Sequence, residues 1–197
     1  NPSSLAIGDM DQDGKVDIAV ANGTSNSVSL FHNTSTAPGA ITLGAPSTLT
    51  TNINPASLVL VDLDGDGLLD LATANTTSDN VSVFQNTSSS GVISFNPKVD
   101  VGIPAGSGLS AIYMGDTDGD GKVDLVTANS SNNTVSALHN VSTLGSLSFT
   151  VKADVSNASL SSPYRVRLGD LNGDGKPDLV AASSGSTTNN IDVFLQK

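Results

Sequence analysis

Residues 62–70 read "DLDGDGLLD", four carboxylates at positions 1, 3, 5 and 9 of a nine-residue stretch, close enough to repel one another. The arrangement recurs as "DMDQDGKVD" at 9–17, "DTDGDGKVD" at 116–124 and "DLNGDGKPD" at 170–178. The first Asp therefore falls at 9, 62, 116 and 170, with spacings of 53, 54 and 54 residues. A fixed period in this range marks a repeat architecture, often a propeller.

The rest of each period repeats as well. A short apolar run precedes each acidic stretch ("SLAIGD", "SLVLVD", "AIYMGD", "VRLGD") and another follows it ("VDIAVAN", "LDLATAN", "VDLVTAN", "PDLVAAS"). A third segment alternates: "NSVSLFHN", "NVSVFQN", "NTVSALHN" and "NIDVFLQ". These runs are rich in Val, Ile and Leu and bounded by Gly, Asn, Ser and Thr, which predicts strands and turns. A weaker fourth strand is expected in "AITLG", "VISFNPKVDV" and "LSFTVKADV". Four antiparallel strands per repeat make one propeller blade. The expected fold is all-β: a β-propeller, or a four-blade section of one, forming a single repeat domain over 1–197 with blades near 1–54, 55–108, 109–162 and 163–197. The last blade reaches only its third strand, and an unpaired outer edge is open to another chain.

Composition fits an ordered protein with a core, at 197 residues and 37% hydrophobic content. No apolar run approaches the roughly 18 residues of a membrane span, and "NPSSLAIGD" shows no basic segment leading into an apolar one. Starting at Asn1 rather than Met points to a processed form or a piece of a longer chain. Without Cys, the chain has neither disulfides nor thiolate chemistry. A net charge of −11 with 8 basic residues disfavours nucleic acid and anionic lipid as partners. The acid is also concentrated: Glu is absent, and 15 of the 19 Asp lie in the four stretches. One divalent cation in each would bring the net charge to about −3.

Hard cations such as Ca²⁺ take six to eight oxygen ligands, which a tight loop supplies from alternate side chains and one carbonyl. In the second stretch the expected ligands are Asp62, Asp64, Asp66 and Asp70, with the Leu68 carbonyl at position 7 and Gly67 easing the turn. In the same register stand Asp9, Asp11, Asp13, Asp17 and the Lys15 carbonyl; Asp116, Asp118, Asp120, Asp124 and the Lys122 carbonyl; and Asp170, Asn172, Asp174, Asp178 and the Lys176 carbonyl. About four Ca²⁺ are expected, the fourth held most weakly because Asn172 drops a charge. An EF-hand needs Glu at position 12 and flanking helices, whereas position 12 here is Val20, Thr73, Thr127 or Ala181. Asp-Gly pairs also make hairpin turns, but a turn does not account for an acid at position 9 in every copy.

On these loops the whole chain resembles the FG-GAP and VCBS-type calcium-loop repeats of integrin α-subunit heads, some fungal lectins and many bacterial surface proteins. The resemblance implies a Ca²⁺ loop between the first two strands of each blade. The integrin phrases are out of register, since the one "GAP", at 44–46, lies in a connector; the bacterial type is nearer.

Nine Asn-x-Ser/Thr sequons, at Asn22, Asn33, Asn75, Asn80, Asn86, Asn129, Asn132, Asn140 and Asn157, are read as turn residues ahead of glycan sites. His32 and His139 occupy equivalent positions, with Gln85 between them in the series, and are read as structural repetition. Arg165 and Arg167 share a strand face suited to a carboxylate or sugar, against the plainer reading of a solvated or ion-paired face. Two Tyr, five Phe and no Trp weigh against a sugar site. With no catalytic set to place, the expected function is a non-catalytic, secreted or cell-surface, calcium-stabilised module for adhesion to a protein or carbohydrate. The alternatives are a filament or sheath subunit self-associating through the open blade edge, and a propeller attached to an enzyme.

Overall fold

Each β-branched run closed by Asn or Gly becomes a strand, and each acidic stretch becomes the loop joining two of them. The computed structural model describes residues 1–152, 154–185 and 190–196. The first blade is β1 (Pro2–Gly8), β2 (Asp17–Asn22), β3 (Ser27–Phe31) and β4 (Ser47–Thr50). The second is β5 (Pro55–Val61), β6 (Asp70–Asn75), β7 (Asn80–Phe84) and β8 (Val99–Gly102). The third is β9 (Leu109–Gly115), β10 (Asp124–Asn129), β11 (Thr134–Asn140) and β12 (Phe149–Val151). Three strands, β13 (Pro163–Gly169), β14 (Asp178–Ser183) and β15 (Asn190–Phe194), form the fourth. Strands run antiparallel in sequence order within each sheet, as expected of propeller blades.

The outer strand of the first blade is displaced from its expected place. "AITLG" pairs through Leu43 with Asn33, in a side hairpin fixed by Thr34 N–H donating to Thr42 O (2.8 Å) and Gly44 N–H to His32 O (2.9 Å). The chain reaches the sheet only at Ser47. Asn33 starts the hairpin: its Oδ1 accepts the Ser35 N–H at 3.0 Å, an Asx turn that Asn86 and Asn140 repeat with Ser88 and Ser142, and the longer segment between Ser35 and Ser47 carries the first blade's outer strand further along the chain. The equivalent pairs in the next two blades are Asn86 with Phe95 and Asn140 with Phe149.

There is no single core. Each blade interface has its own: Ala19, Ala21, Val28 and Leu30 receive Leu58, Leu60 and Phe84 between blades one and two. Val81, Val83, Val101 and Ala74 meet Leu109, Ile112 and Leu138 between two and three. Val126, Ala128 and Val135 meet Val166, Leu160 and Leu179 between three and four. Small residues on the face toward the next blade admit large ones from it, and each buried Leu or Val contributes roughly 1.5–3 kcal/mol. The end faces keep the same chemistry uncovered: Leu5 is 66% exposed where Leu58 is 5%, and Ile191 is 73% exposed where Val81 and Val135 are 0%. The four blades form an open section.

Candidate metal centre

All four acidic loops join the first two strands of a blade and stand along one rim. A cavity of about 470 Å³ separates the second loop from the third, lined in part by Asp62, Asp64, Gly121 and Lys122. Backbone N–H groups hold each loop open. The position-1 carboxylate takes two or more: Asp9 accepts from Asp13 and Gly14, Asp62 from Gly65 and Gly67, Asp116 from Gly119 and Gly121, and Asp170 from Gly173 and Gly175. Positions 3 and 5 each accept the amide two residues on, as Asp64 does from Asp66 and Asp66 from Leu68. This winding needs left-handed backbone at positions 4 and 6. Glycine supplies it everywhere except at Gln12 (φ 58°), whose Nε2 donates to Gly67 O of the next loop at 3.0 Å.

The position-9 Asp is completely buried in all four copies. Asp70 Oδ2 accepts the Leu63 amide at 2.9 Å and its Oδ1 the Asn86 amide at 2.8 Å, pinning the loop to the end of the third strand. Asp17 holds Met10 and Asn33, Asp124 holds Thr117 and Asn140, and Asp178 holds Leu171 and Gln196 in the same way. Burial is the main cause that pushes the Asp70 carboxyl up to about 6, against the pull of those two amides; the Asp64 and Asp66 charges add to the rise. Burial likewise raises Asp17. Where a cation leans in, the direction reverses: the Lys15 ammonium lowers Asp13, and the Lys152 ammonium lowers Asp118.

In the first loop Asp9, Asp11 and Asp17 each bring an oxygen within 4.8 Å of the others, while Asp13 joins Asp11 and His32. In the second, Asp62, Asp64 and Asp66 meet, with Asp70 outside the group; in the third, Asp116, Asp118 and Asp120 meet, and Asp118 and Asp124 also gather with His139. Among the described residues, Asp170, Asp174 and Asp178 form no such group, and Asn172 Nδ2 donates to Asp174 at 3.0 Å. One oxygen, Asp11 Oδ2, is buried without a hydrogen bond, although His32 Nε2 lies 3.2 Å from it. The three all-carboxylate groups, Asp9 with Asp11 and Asp17, Asp62 with Asp64 and Asp66, and Asp116 with Asp118 and Asp120, together with the buried Asp11 oxygen, suit a hard divalent cation.

Sequence reasoning missed the residues that lean over the loops. His32, Gln85 and His139 recur by period at the end of the third strand, and each faces its own blade's loop: Gln85 Nε2 donates to Asp64 at 2.8 Å, and His139 Nδ1 lies 2.7 Å from Asp118. Lys15 and Lys152 reach Asp13 and Asp118 at 2.7 and 2.8 Å. The periodicity of His32, Gln85 and His139 was the available signal. Several sequons resolve into internal ties. Asn86 Nδ2 donates to Met10 O of the preceding loop and to Leu69 O, both at 2.8 Å, and Asn140 does the same to Leu63 O and Val123 O. Both are almost fully buried, as are Asn75 and Asn129, so their amides are closed to glycan attachment in the folded protein.

Among the described residues no helix is long and apolar enough to cross a membrane. A search of curated proteins finds no match. The family profile described as FG-GAP-like repeat matches three times, over residues 9–73, 62–127 and 116–181, each window running from one acidic loop into the strand beyond the next. FG-GAP-like repeats build binding and structural modules, typically of extracellular proteins, and are not a known enzyme family. With the windows together spanning 9–181 and the four-stranded antiparallel blades in place, this chain belongs to the FG-GAP-like repeat family.

Proposed function

We propose that the chain acts as one repeat domain, 1–197, that binds a cell-surface protein or carbohydrate outside the cell and is stabilised by calcium in its acidic loops. The observation that carries the calcium reading is the convergence of three carboxylates within 4.8 Å in each of the first three loops. Bound there, Ca²⁺ supplies charge neutralisation and a crosslink between the first two strands of a blade. The chain's own residues do the rest: Asp9, Asp11, Asp13 and Asp17, and their equivalents, present oxygens, while Gly67 and its counterparts hold the winding. Millimolar extracellular calcium fills even weak sites of this kind.

The second loop is the best prepared, because its groups partnering Asp64 are the Gln85 side chain and the Gly145 amide, both neutral. The first and third must shift Lys15 or Lys152 from a carboxylate. Calorimetric titration of Ca²⁺ into chelator-stripped protein is expected to show three sites and a weaker fourth, with Asp64→Asn removing the tightest. Absence of heat at millimolar Ca²⁺ sinks the reading.

A second reading, self-assembly, is favoured by the uncovered Leu5 and Ile7 at one end and Ile191 and Val193 at the other. Light scattering that shows concentration-dependent growth supports it. A monomer at every concentration removes it.

A further inference from the structure

Both arginines and both tyrosines of the chain gather at one place. Tyr164, Arg165 and Arg167 lie on β13, and Tyr113 on the adjacent inner strand β9. The other blades act as an internal control. Counted back from the acidic loop, these three positions hold Ser3, Ser4 and Ala6 in the first blade, Ala56, Ser57 and Val59 in the second, and Ser110, Ala111 and Tyr113 in the third. The fold is built three times without a charge there. In blades one and three the leading residue ties one blade to the next, Ser3 Oγ donating to Pro55 O at 2.5 Å and Ser110 Oγ to Pro163 O at 2.7 Å. In the fourth blade Tyr164 replaces it, at a register shift in the strand, and the residue is 44% exposed.

The arginines are oriented but not neutralised. Arg167 stacks over Tyr113, 4.5 Å from the ring centroid, and its Nη1 donates to Val166 O at 2.7 Å. Arg165 lies 5.9 Å from the Tyr164 ring centroid, with Nη1 donating to Tyr164 O at 2.7 Å. Each guanidinium has five donors, so most remain available. Among the described residues every ion pair uses Lys or His, and neither arginine has a carboxylate partner. The four inner strands carry no acid. A cavity of about 220 Å³ runs across all four, lined by Ser4, Ser57, Tyr113, Arg165 and Arg167 among others.

We propose that this cavity binds a sugar acid. The guanidiniums take the carboxylate, in the paired geometry that arginine favours. The Ser4 and Ser57 hydroxyls, which both donate and accept, meet the ring hydroxyls. Tyr164 does not line the cavity; its ring, 5.9 Å from the Arg165 guanidinium, helps orient that side chain. The volume falls below the roughly 300–1,000 Å³ of drug-sized sites, so the cavity takes a single sugar unit. This inference rests on the reading of the chain as a binding module and is independent of the cations.

The test is calorimetric titration of calcium-saturated protein, at fixed ionic strength, with sodium D-glucuronate, D-glucose and sodium acetate as probes. Glucuronate is expected to bind about tenfold or more tightly than either other probe, since hydrogen bonds to a charged group are the strong contribution and hydroxyl contacts add to it. Arg165→Gln and Arg167→Gln are each expected to weaken it about fivefold or more with the circular dichroism unchanged, because both side chains are exposed. Tyr164→Ser, which restores the residue of blades one and three, is expected to weaken it with the fold kept. Equal binding of glucose or acetate, no loss in either arginine variant, or no glucuronate binding at about 20 mM, well above millimolar affinity, overturns the proposal. Calcium titration of the same sample reports on the loops separately, so failure here is distinguishable from failure of the calcium reading.

Discussion

Excess chelator is expected to lower the melting temperature by roughly 15–30 °C relative to protein held in millimolar Ca²⁺. A ligand that binds only the folded state at a hundred times its dissociation constant stabilises by about 2.7 kcal/mol per site. For a chain of this length each kcal/mol is worth about 2–4 °C. Three converged loops therefore account for the shift, with the Asn172-containing fourth adding little. Mg²⁺, which prefers a rigid octahedral shell with bound water, is expected to restore only a fraction of the loss. Differential scanning calorimetry in EDTA, in Ca²⁺ and in Mg²⁺ makes the comparison. Melting curves that coincide within about 2 °C, the span of less than one filled site, contradict a structural role for calcium.

Asp70→Ala is expected to cost about 3–5 kcal/mol in chelator, and more in calcium, where a charged ligand is lost as well. Its carboxylate accepts the buried amides of both Leu63 and Asn86, and each orphaned donor costs about 1–3 kcal/mol. Asp70→Asn separates the hydrogen bonds from the charge. In chelator the charge is a burden, because burial raises this carboxyl to about 6, above its unfolded value near 3.8. The folded protein then holds a proton that the unfolded chain has released, so stability is greatest below 3.8 and falls as pH rises through about 6. The lowered carboxyls, Asp13, Asp100, Asp116, Asp118 and Asp174, act in the opposite sense and below 3.8. Asp70→Asn is therefore expected to be mild in chelator and to flatten that decline, and to be severe in calcium, where a charged ligand is lost. Denaturant unfolding between pH 4 and 7, with and without calcium, reads both effects. An equal penalty for Asp70→Asn in both conditions contradicts the assignment of a charge-dependent role to Asp70.

The acidic loops were legible because their chemistry is local. Alternate carboxylates and the glycines at positions 4 and 6 lie within nine residues, and the period of 53 or 54 repeats them without reference to anything distant. The strands on either side were legible for the same reason, since alternation and turn residues act over a few positions. The first blade's outer strand was misplaced by a few residues because "AITLG" has strand composition but pairs through Leu43 with Asn33 in a side hairpin, ahead of the strand that joins the sheet.

What the sequence determined by itself is the all-β repeat and the identity of the acidic residues. Only the tertiary structure decided their roles. Asp70 staples an amide 16 residues away, and Asn140 spans 77 residues to the preceding loop, because blade stacking brings those groups together. Stacking also turned two apparent sequons into buried ties and collected Tyr113, Arg165 and Arg167 along one cavity, with Tyr164 beside Arg165. A strand's own periodicity says which residues share a face, and says nothing of which neighbouring sheet that face will meet.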